Sequence, residues 1–375
     1  MANGINEHLK NLSPPKQALF ERLLREKQTQ RLPKAKQAPV IQDSVAEVLP
    51  VPWSKPGWFE DAAAWLHIQA QQVHATINGP IRQLRFSQDS CLLQLPTTAG
   101  NLYFKAVPAY YAHEPRLTAL LHQHFPTHIS GVVAVEPERH WLLMREIPGR
   151  PLSFTKTPDG WHNTIRAWAS IQLASQEQIT ALLDTGCFDR RLEQLPERFG
   201  RFAAADLSFL TALPGGLTPE EFATVRALVP QIKVLSQQIA VYALPNTLDH
   251  GDFHPHNINI DDGNAIIFDW ADGAIAHPFF SPATLIAYTT LTVPDMAHLH
   301  STLRDTYLEM WRDYYPMTTL QEIFTAIAPL ATCHYALNMF ECIASWQAQP
   351  EREMGVIREA LNFCLRILCR IPDQV

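Results

Sequence analysis

Between two helical blocks of this chain, residues 161–241 and 282–375, lies one irregular polar segment, 247–281. Its order of apolar and turn residues leaves few ways to fold. Ile258 to Ile260 and Ala265 to Phe268 are short apolar runs of strand type. Asp261-Asp262-Gly263-Asn264 between them is a hairpin turn, because Gly and Asn tolerate positive φ. Paired residue numbers in a hairpin sum to a constant. Symmetry about Gly263 makes Asn257 and Asp269 neighbours at the open end, at a cross-strand Cα separation of about 4.5–5.5 Å. An amide oxygen beside a carboxylate suits a hard divalent cation such as Mg²⁺, which takes only one or two protein ligands. Asp252 stands five residues before Asn257 on the same loop. A carboxylate there can orient a hydroxyl beside a metal-bound triphosphate and accept its proton.

His250-Gly251-Asp252, four residues, Asn257, and then Asp269-Trp270 resemble the aminoglycoside phosphotransferase and choline kinase family. That resemblance implies a protein-kinase-like fold: α+β and bilobal, with a small N-terminal antiparallel sheet lobe and a larger, mainly helical C-terminal lobe. It makes Asp252 the catalytic base and gives magnesium to Asn257 and Asp269. ATP or GTP would be the phosphoryl donor. His250 reads as a structural residue that hydrogen-bonds the loop backbone. His254 is a candidate near the γ-phosphate, with a loop-bracing role as the alternative. His256 stands where relatives often carry glycine and is given no role. Asp272 is a candidate for the acceptor site or a solvated loop acid.

Upstream, residues 56–75 read as a helix, followed by strands at Ile81 to Phe86, Cys91 to Leu95 and Leu102 to Val107. Thr97 to Asn101 turns the last two into a hairpin. A helix over Glu114 to His124 and strands over Val132 to Val135 and Trp141 to Arg145 complete a small mixed lobe. Lys105 is a strand lysine flanked by apolar residues, and Glu114 opens the helix that follows. A kinase of this fold needs a strand cation on the phosphates and an acid to fix it; the resemblance gives these roles to Lys105 and Glu114. It also places adenine against backbone groups at the hinge, Glu146 and Ile147. The turn Ser87-Gln88-Asp89-Ser90 has no glycine, so Ser87, Ser90 and backbone amides are the phosphate contacts expected there.

A chain of 375 residues exceeds one hydrophobic core. The expected division is residues 1–50, an N-terminal helix and proline-containing tether; 51–147, the nucleotide-binding lobe; and 148–375, the helical lobe with the catalytic loop at 248–272. The net charge of −7 is uneven: residues 1–37 carry eight Lys or Arg and three Glu, leaving −12 on the rest. An acidic body argues against nucleic acid as partner. No stretch reads as apolar enough for a membrane span and no signal peptide is evident, so no membrane partner is expected. The six cysteines have no CxxC pairing, which suits free buried thiols in a reducing cytoplasm. Ser13 caps a short helix whose Leu19, Leu23 and Leu24 form one stripe. This segment resembles the linker that opens modules of peptide and polyketide synthases, which implies a synthase partner or self-association. The alternative is a solvated helix packing on its own body.

His250-Gly251-Asp252 lacks the arginine with which protein kinases read a phosphorylated activation loop, and only twelve residues separate Asp269 from Pro282. There is no room for a peptide platform. A small hydroxyl-bearing acceptor is expected, with a natural product favoured by the synthase-like linker. His334, Asn338 and Glu341, at helical spacing, are candidates to line its pocket. Two other readings compete. One is a catalytically silent kinase-like protein docking to a synthase, which would have lost Lys105, Asp252, Asn257 or Asp269. The other is a metal-dependent hydrolase built on the alternation of His250, Asp252, His254 and His256. Pro255 in that alternation and Asp269 behind a hairpin fit magnesium and triphosphate better than zinc.

Overall fold

The computed structural model describes residues 51–205, 217–345 and 365. The expected N-terminal helix, most of its tether, and Cys364 and Cys369 lie outside the described residues.

The chain enters with α1 (Trp58–Gln72) and then builds β1 (Arg82–Phe86), β2 (Cys91–Thr97) and β3 (Gly100–Ala106). α2 (Glu114–His124) leads to β4 (Val132–Glu136) and β5 (Trp141–Arg145). The five strands form one antiparallel sheet in the order β1-β2-β3-β5-β4. β2 alternates buried and half-buried residues, so one face of the sheet is apolar. α1 covers that face: Trp58 and Trp65 pack on Phe104 and Trp141 with ring centroids 5.6–6.0 Å apart. The fully buried Phe104 and Trp141 contribute about 1.5–3 kcal/mol each, and the partly buried Trp58 and Trp65 packed on them fasten the helix to the sheet.

Next come β6 (Arg150–Pro151), α3 (Pro158–Ser175), α4 (Ile179–Asp184), β7 (Phe188–Asp189), α5 (Leu195–Ala204), α6 (Pro219–Ala227) and α7 (Val229–Ala240). Prolines in the first turns of α3, α5, α6 and α7 occupy positions where no helical N–H is needed. The polar segment then gives β8 (Thr247–Asp249), β9 (Ile258–Asp261), β10 (Asn264–Ile267) and β11 (Ala274–Ala276). α8 (Phe280–Thr292), α9 (His300–Glu309) and α10 (Met317–Ser345) close the described fold. β6 adds to the β9–β10 hairpin, and β8 and β7 flank β11. Trp161, Trp168, Phe253, Trp270 and Trp311 are buried in one continuous core, so the polar segment is fastened to the helices through its own aromatic residues, Phe253 and Trp270. This is the α+β architecture expected, a sheet lobe ahead of a helical one.

α10 corrects one expectation. By length and composition alone it is long and apolar enough to cross a membrane. Of its most apolar window, 61% is buried inside the fold, and its polar residues bond other elements. Those contacts make it a core helix.

Candidate active site

β3 presents Leu102, Phe104 and Ala106 to the α1 side, so Tyr103 and Lys105 point the other way. The other face looks onto a cavity of about 300 Å³, lined by Arg85, Ser90, Lys105, Glu114, Met144, Glu146, Ile147 and Asp269 among others. Lys105 Nζ lies 2.6 Å from Glu114 Oε1 and 2.7 Å from Asp269 Oδ1. One cation thus holds the first residue of α2 and a residue two positions past the end of β10. Burial works against the lysine's charge, but Asp269 and Glu114 outweigh it and raise its pKa. Burial pushes the Glu114 carboxyl up to about 7 although Lys105 pulls it down. Burial acts the same way on Asp269, but there Lys105 prevails and the pKa is lowered.

The hairpin register corrects the symmetry drawn from sequence. Asn264 pairs with Asp261 and Ile267 with Ile258, so the turn consists of two residues, Asp262 and Gly263, both at positive φ. Asn257 therefore faces Phe268, whose N–H donates to the Asn257 carbonyl at 3.1 Å, and Asp269 lies one residue beyond. Asp269 itself adopts a φ of 68°, a conformation uncommon for a non-glycine residue. It turns the carboxylate back toward Lys105.

The loop from β8 to β9 is held from several directions. Gly251 has a φ of 75°, and a Cβ there would collide with the backbone of Asp272, so only glycine fits. His250 bonds the Phe268 carbonyl at 3.0 Å, the structural role expected of it. Asn257 Nδ2 donates to the Asp252 carbonyl at 3.1 Å and to Asp252 Oδ2 at 3.2 Å. His254 Nε2 lies 3.3 Å from the same Oδ2, and the Tyr335 hydroxyl donates to Asp252 Oδ1 at 2.9 Å. Burial would raise the Asp252 pKa, but His254, His250 and Tyr335 reverse this and hold it well below the usual carboxylate range. The carboxylate is therefore ionised, with its side chain one-third exposed. His256 lies 3.2 Å from Ser153.

Asn257 commits its amide nitrogen to Asp252 and Asp269 commits Oδ1 to Lys105. Asn257 Oδ1 and Asp269 Oδ2 make no hydrogen bond among the described residues. That pair of oxygens is the donor set a hard cation takes.

Other candidates fall elsewhere. Ser90 is buried and lines the cavity, but the Ser87 hydroxyl closes its own turn, donating to the Ser90 carbonyl at 3.1 Å and accepting from Arg85 Nε at 3.1 Å. The Glu146 carboxylate accepts from the Tyr103 hydroxyl and from Asn101 Nδ2, and its N–H donates to the Asn101 carbonyl at 3.3 Å. The Ile147 carbonyl is held by Asn259 Nδ2 at 3.5 Å, and the Pro148 carbonyl by the same nitrogen at 3.0 Å.

His334, Asn338 and Glu341 do come together, but in a closed network. His334 Nε2 is 3.0 Å from Asp249 Oδ2, and Asn338 Nδ2 donates to the Gly251 carbonyl at 3.1 Å. Arg198 Nε and Nη2 donate to the two oxygens of Glu341 at 2.8 and 2.9 Å, and Nη2 also reaches Asn338 Oδ1 at 2.9 Å. Asp272 is paired with Arg190 at 3.3 Å; burial pushes its carboxyl up to about 7 against that arginine. Sequence reasoning missed Arg190, Arg198 and Tyr335. For Arg198 a signal existed: it stands on the buried stripe of α5 with Leu195, Phe199 and Phe202, where an arginine must have partners. Tyr335, next to His334 on α10, carries no comparable mark.

The model of the phosphotransferase enzyme family matches residues 99–317, which include the lysine, the loop and the hairpin just described. No curated protein matches the chain in sequence. Among solved structures it is similar to an ethanolamine kinase from Plasmodium vivax, at 10% identity and TM-score 0.55, covering 77% of this chain and 82% of that one. A choline/ethanolamine kinase family protein from Mesorhizobium loti shares 14% identity, TM-score 0.53, over 83% of this chain and 95% of that one. A choline kinase from Streptococcus pneumoniae shares 14% identity, TM-score 0.52, over 82% and 99%. At these identities the likeness is one of fold. With the family model spanning more than half of its length, the chain belongs to the phosphotransferase enzyme family.

Proposed function

We propose that this chain transfers the γ-phosphoryl group of ATP or GTP to a hydroxyl of a small molecule, with Asp252 as the base. The observation that carries the reading is the convergence of Lys105, Glu114 and Asp269 at a cavity, beside an ionised carboxylate braced by Asn257. Lys105 would lie against the phosphates once they draw it from Asp269, with Glu114 keeping it in place. The lining at Met144, Glu146 and Ile147 suits an adenine or guanine base, and the Ile147 N–H makes no backbone hydrogen bond among the described residues. Asn257 and Asp269 would hold Mg²⁺, which when bound neutralises charge on the polyphosphate. Asp252 would orient the acceptor hydroxyl and take its proton; a carboxylate held below its usual pKa is ready to accept at neutral pH.

For the acceptor, an ethanolamine kinase and choline kinase of the same fold support a small alcohol. The synthase-like segment at residues 13–24 supports a natural product. Buried cysteines in no disulfide, such as Cys91, Cys187 and Cys342, suit a reducing compartment, so we assign the chain to the cytoplasm.

Nucleotide consumption across a panel of hydroxyl compounds, with and without Mg²⁺, tests this reading. Asp252→Asn should lower transfer by about a thousandfold or more while leaving nucleotide affinity near its original value. Transfer at the original rate in that variant would remove Asp252 from the role.

A further inference from the structure

The two oxygens of Asp252 are not equivalent. Oδ2 is occupied from within its own loop, by Asn257 Nδ2 at 3.2 Å and His254 Nε2 at 3.3 Å. Oδ1 receives a single hydrogen bond among the described residues, from the Tyr335 hydroxyl at 2.9 Å, and that group comes from a different element, α10. An acceptor alcohol about to yield its proton needs this same contact: an O–H donating to a carboxylate oxygen. With Oδ2 occupied, Oδ1 is the oxygen left for it. The phenol stands in its place.

We infer that Tyr335 is a positioning residue that caps Asp252 Oδ1, keeping the base from water until an acceptor hydroxyl displaces the phenol. This inference rests on Asp252 being the base of phosphoryl transfer, as proposed above. A phenol hydroxyl carries a proton to donate, and here it points that proton at the carboxylate oxygen. The cap is held in register by its neighbours on α10. His334 bonds Asp249 just before the loop, and Asn338, one turn on, donates to the Gly251 carbonyl. Those two contacts fix the helix against the loop, so the phenol returns to Oδ1 whenever the acceptor leaves. Asp252 remains one-third exposed, which leaves an approach for a competing hydroxyl.

The step the cap suppresses can be written out. A water on Oδ1 attacks the γ-phosphorus, and the bond from that phosphorus to the bridging oxygen breaks. The nucleoside diphosphate leaves with the bond's electron pair, and the water proton passes to Asp252. The products are the diphosphate and inorganic phosphate, with no acceptor used.

The full chain is compared with Tyr335→Phe, using ATP or GTP with Mg²⁺ and no acceptor. Loss of a hydrogen bond to a charged group is expected to raise acceptor-free hydrolysis about tenfold in Tyr335→Phe. Adding Asp252→Asn should abolish the gain. A purely structural role for the ring would leave hydrolysis level or lower it. A second readout is independent of turnover: with 3-fluorotyrosine incorporated and the Tyr335 resonance assigned by its loss in Tyr335→Phe, that ¹⁹F line should shift in Asp252→Asn. A line that does not move overturns the contact. If the original chain consumes nucleotide in an Asp252-dependent way and Tyr335→Phe does so no faster, this inference alone falls. If no form consumes nucleotide even with the panel of hydroxyl compounds added, the phosphotransfer reading falls and takes this one with it.

Discussion

Lys105 and Arg198 are both buried cations that hold carboxylates close to the loop between β8 and β9, yet they are built on opposite plans. Lys105 faces two carboxylates with a single ammonium and opens onto a cavity. Negative charge exceeds positive there, and oxygens on Asp269 and Asn257 are left over. Arg198 meets Glu341 with two nitrogens, reaches Asn338, and lies 3.3 Å from His334. An arginine fork fixes geometry as well as charge, whereas an ammonium acts as a point charge that can change partners. The lysine cluster leaves carboxylate charge over beside a cavity, and the arginine cluster ties α5 to α10. The two sets of ions thus differ in whether their charges are fully matched within the fold.

The comparison can be broken most forcefully at Arg198. Arg198→Met leaves Glu341 only the longer contact to Arg190 at 3.5 Å, takes the donor from Asn338 Oδ1, and is expected to cost about 3–5 kcal/mol in chemical denaturation. If the variant melts like the original chain, the arginine cluster does not hold the fold.

Lys105→Met is expected to act in the other direction. Nucleotide affinity measured by calorimetry should fall about ten- to a hundredfold, or roughly 1.4–2.8 kcal/mol. The unliganded melting point should move little, because Glu114, already pushed up to about 7, takes a proton easily once the lysine is gone. A loss of stability matching that of Arg198→Met would erase the contrast.

The smallest effect concerns acid. His277 is buried beside Phe279 and Phe280, and burial pulls its pKa down to about 3, with Asp249 opposing. Between about pH 3 and 6.5 the unfolded chain binds this proton and the folded chain does not, so stability falls as pH falls through that window. The slope contributed by one such group is at most about 1.4 kcal/mol per pH unit. His277→Gln should flatten the melting-temperature curve between pH 6.5 and 4.5 and run parallel to the original above it. An unchanged slope would show that other groups set the acid limit.

Much of this site was legible in the residues because local chemistry dictates it. The helix expected at Glu114 to His124 and the strand at Trp141 to Arg145 form as read, since apolar periodicity and turn residues agree there. The convergence of Lys105, Glu114 and Asp269 was foreshadowed by the order hairpin, lysine, helix, acid. The pairing of Asn257 with Phe268 was not, because a turn of two residues and one of three share the same composition. β7, β8 and β11 are two or three residues long, too short for any alternation to show. Arg190 and Tyr335 were invisible for another reason: their partners are 82 and 83 positions away, and no local pattern carries that distance.

The two-residue turn at Asp262 and Gly263 acts as a ruler for everything at the far end of the hairpin. Side chains alternate faces along a strand, so inserting or deleting a single residue there would flip one strand against the other. Asp269 would then rotate away from Lys105, although every functional side chain would still be present. Exchange of Asp262 for asparagine, which accepts the same backbone, should be tolerated, whereas a change of length should not. In this chain the spacing is as much a part of the chemistry as the carboxylates it aligns.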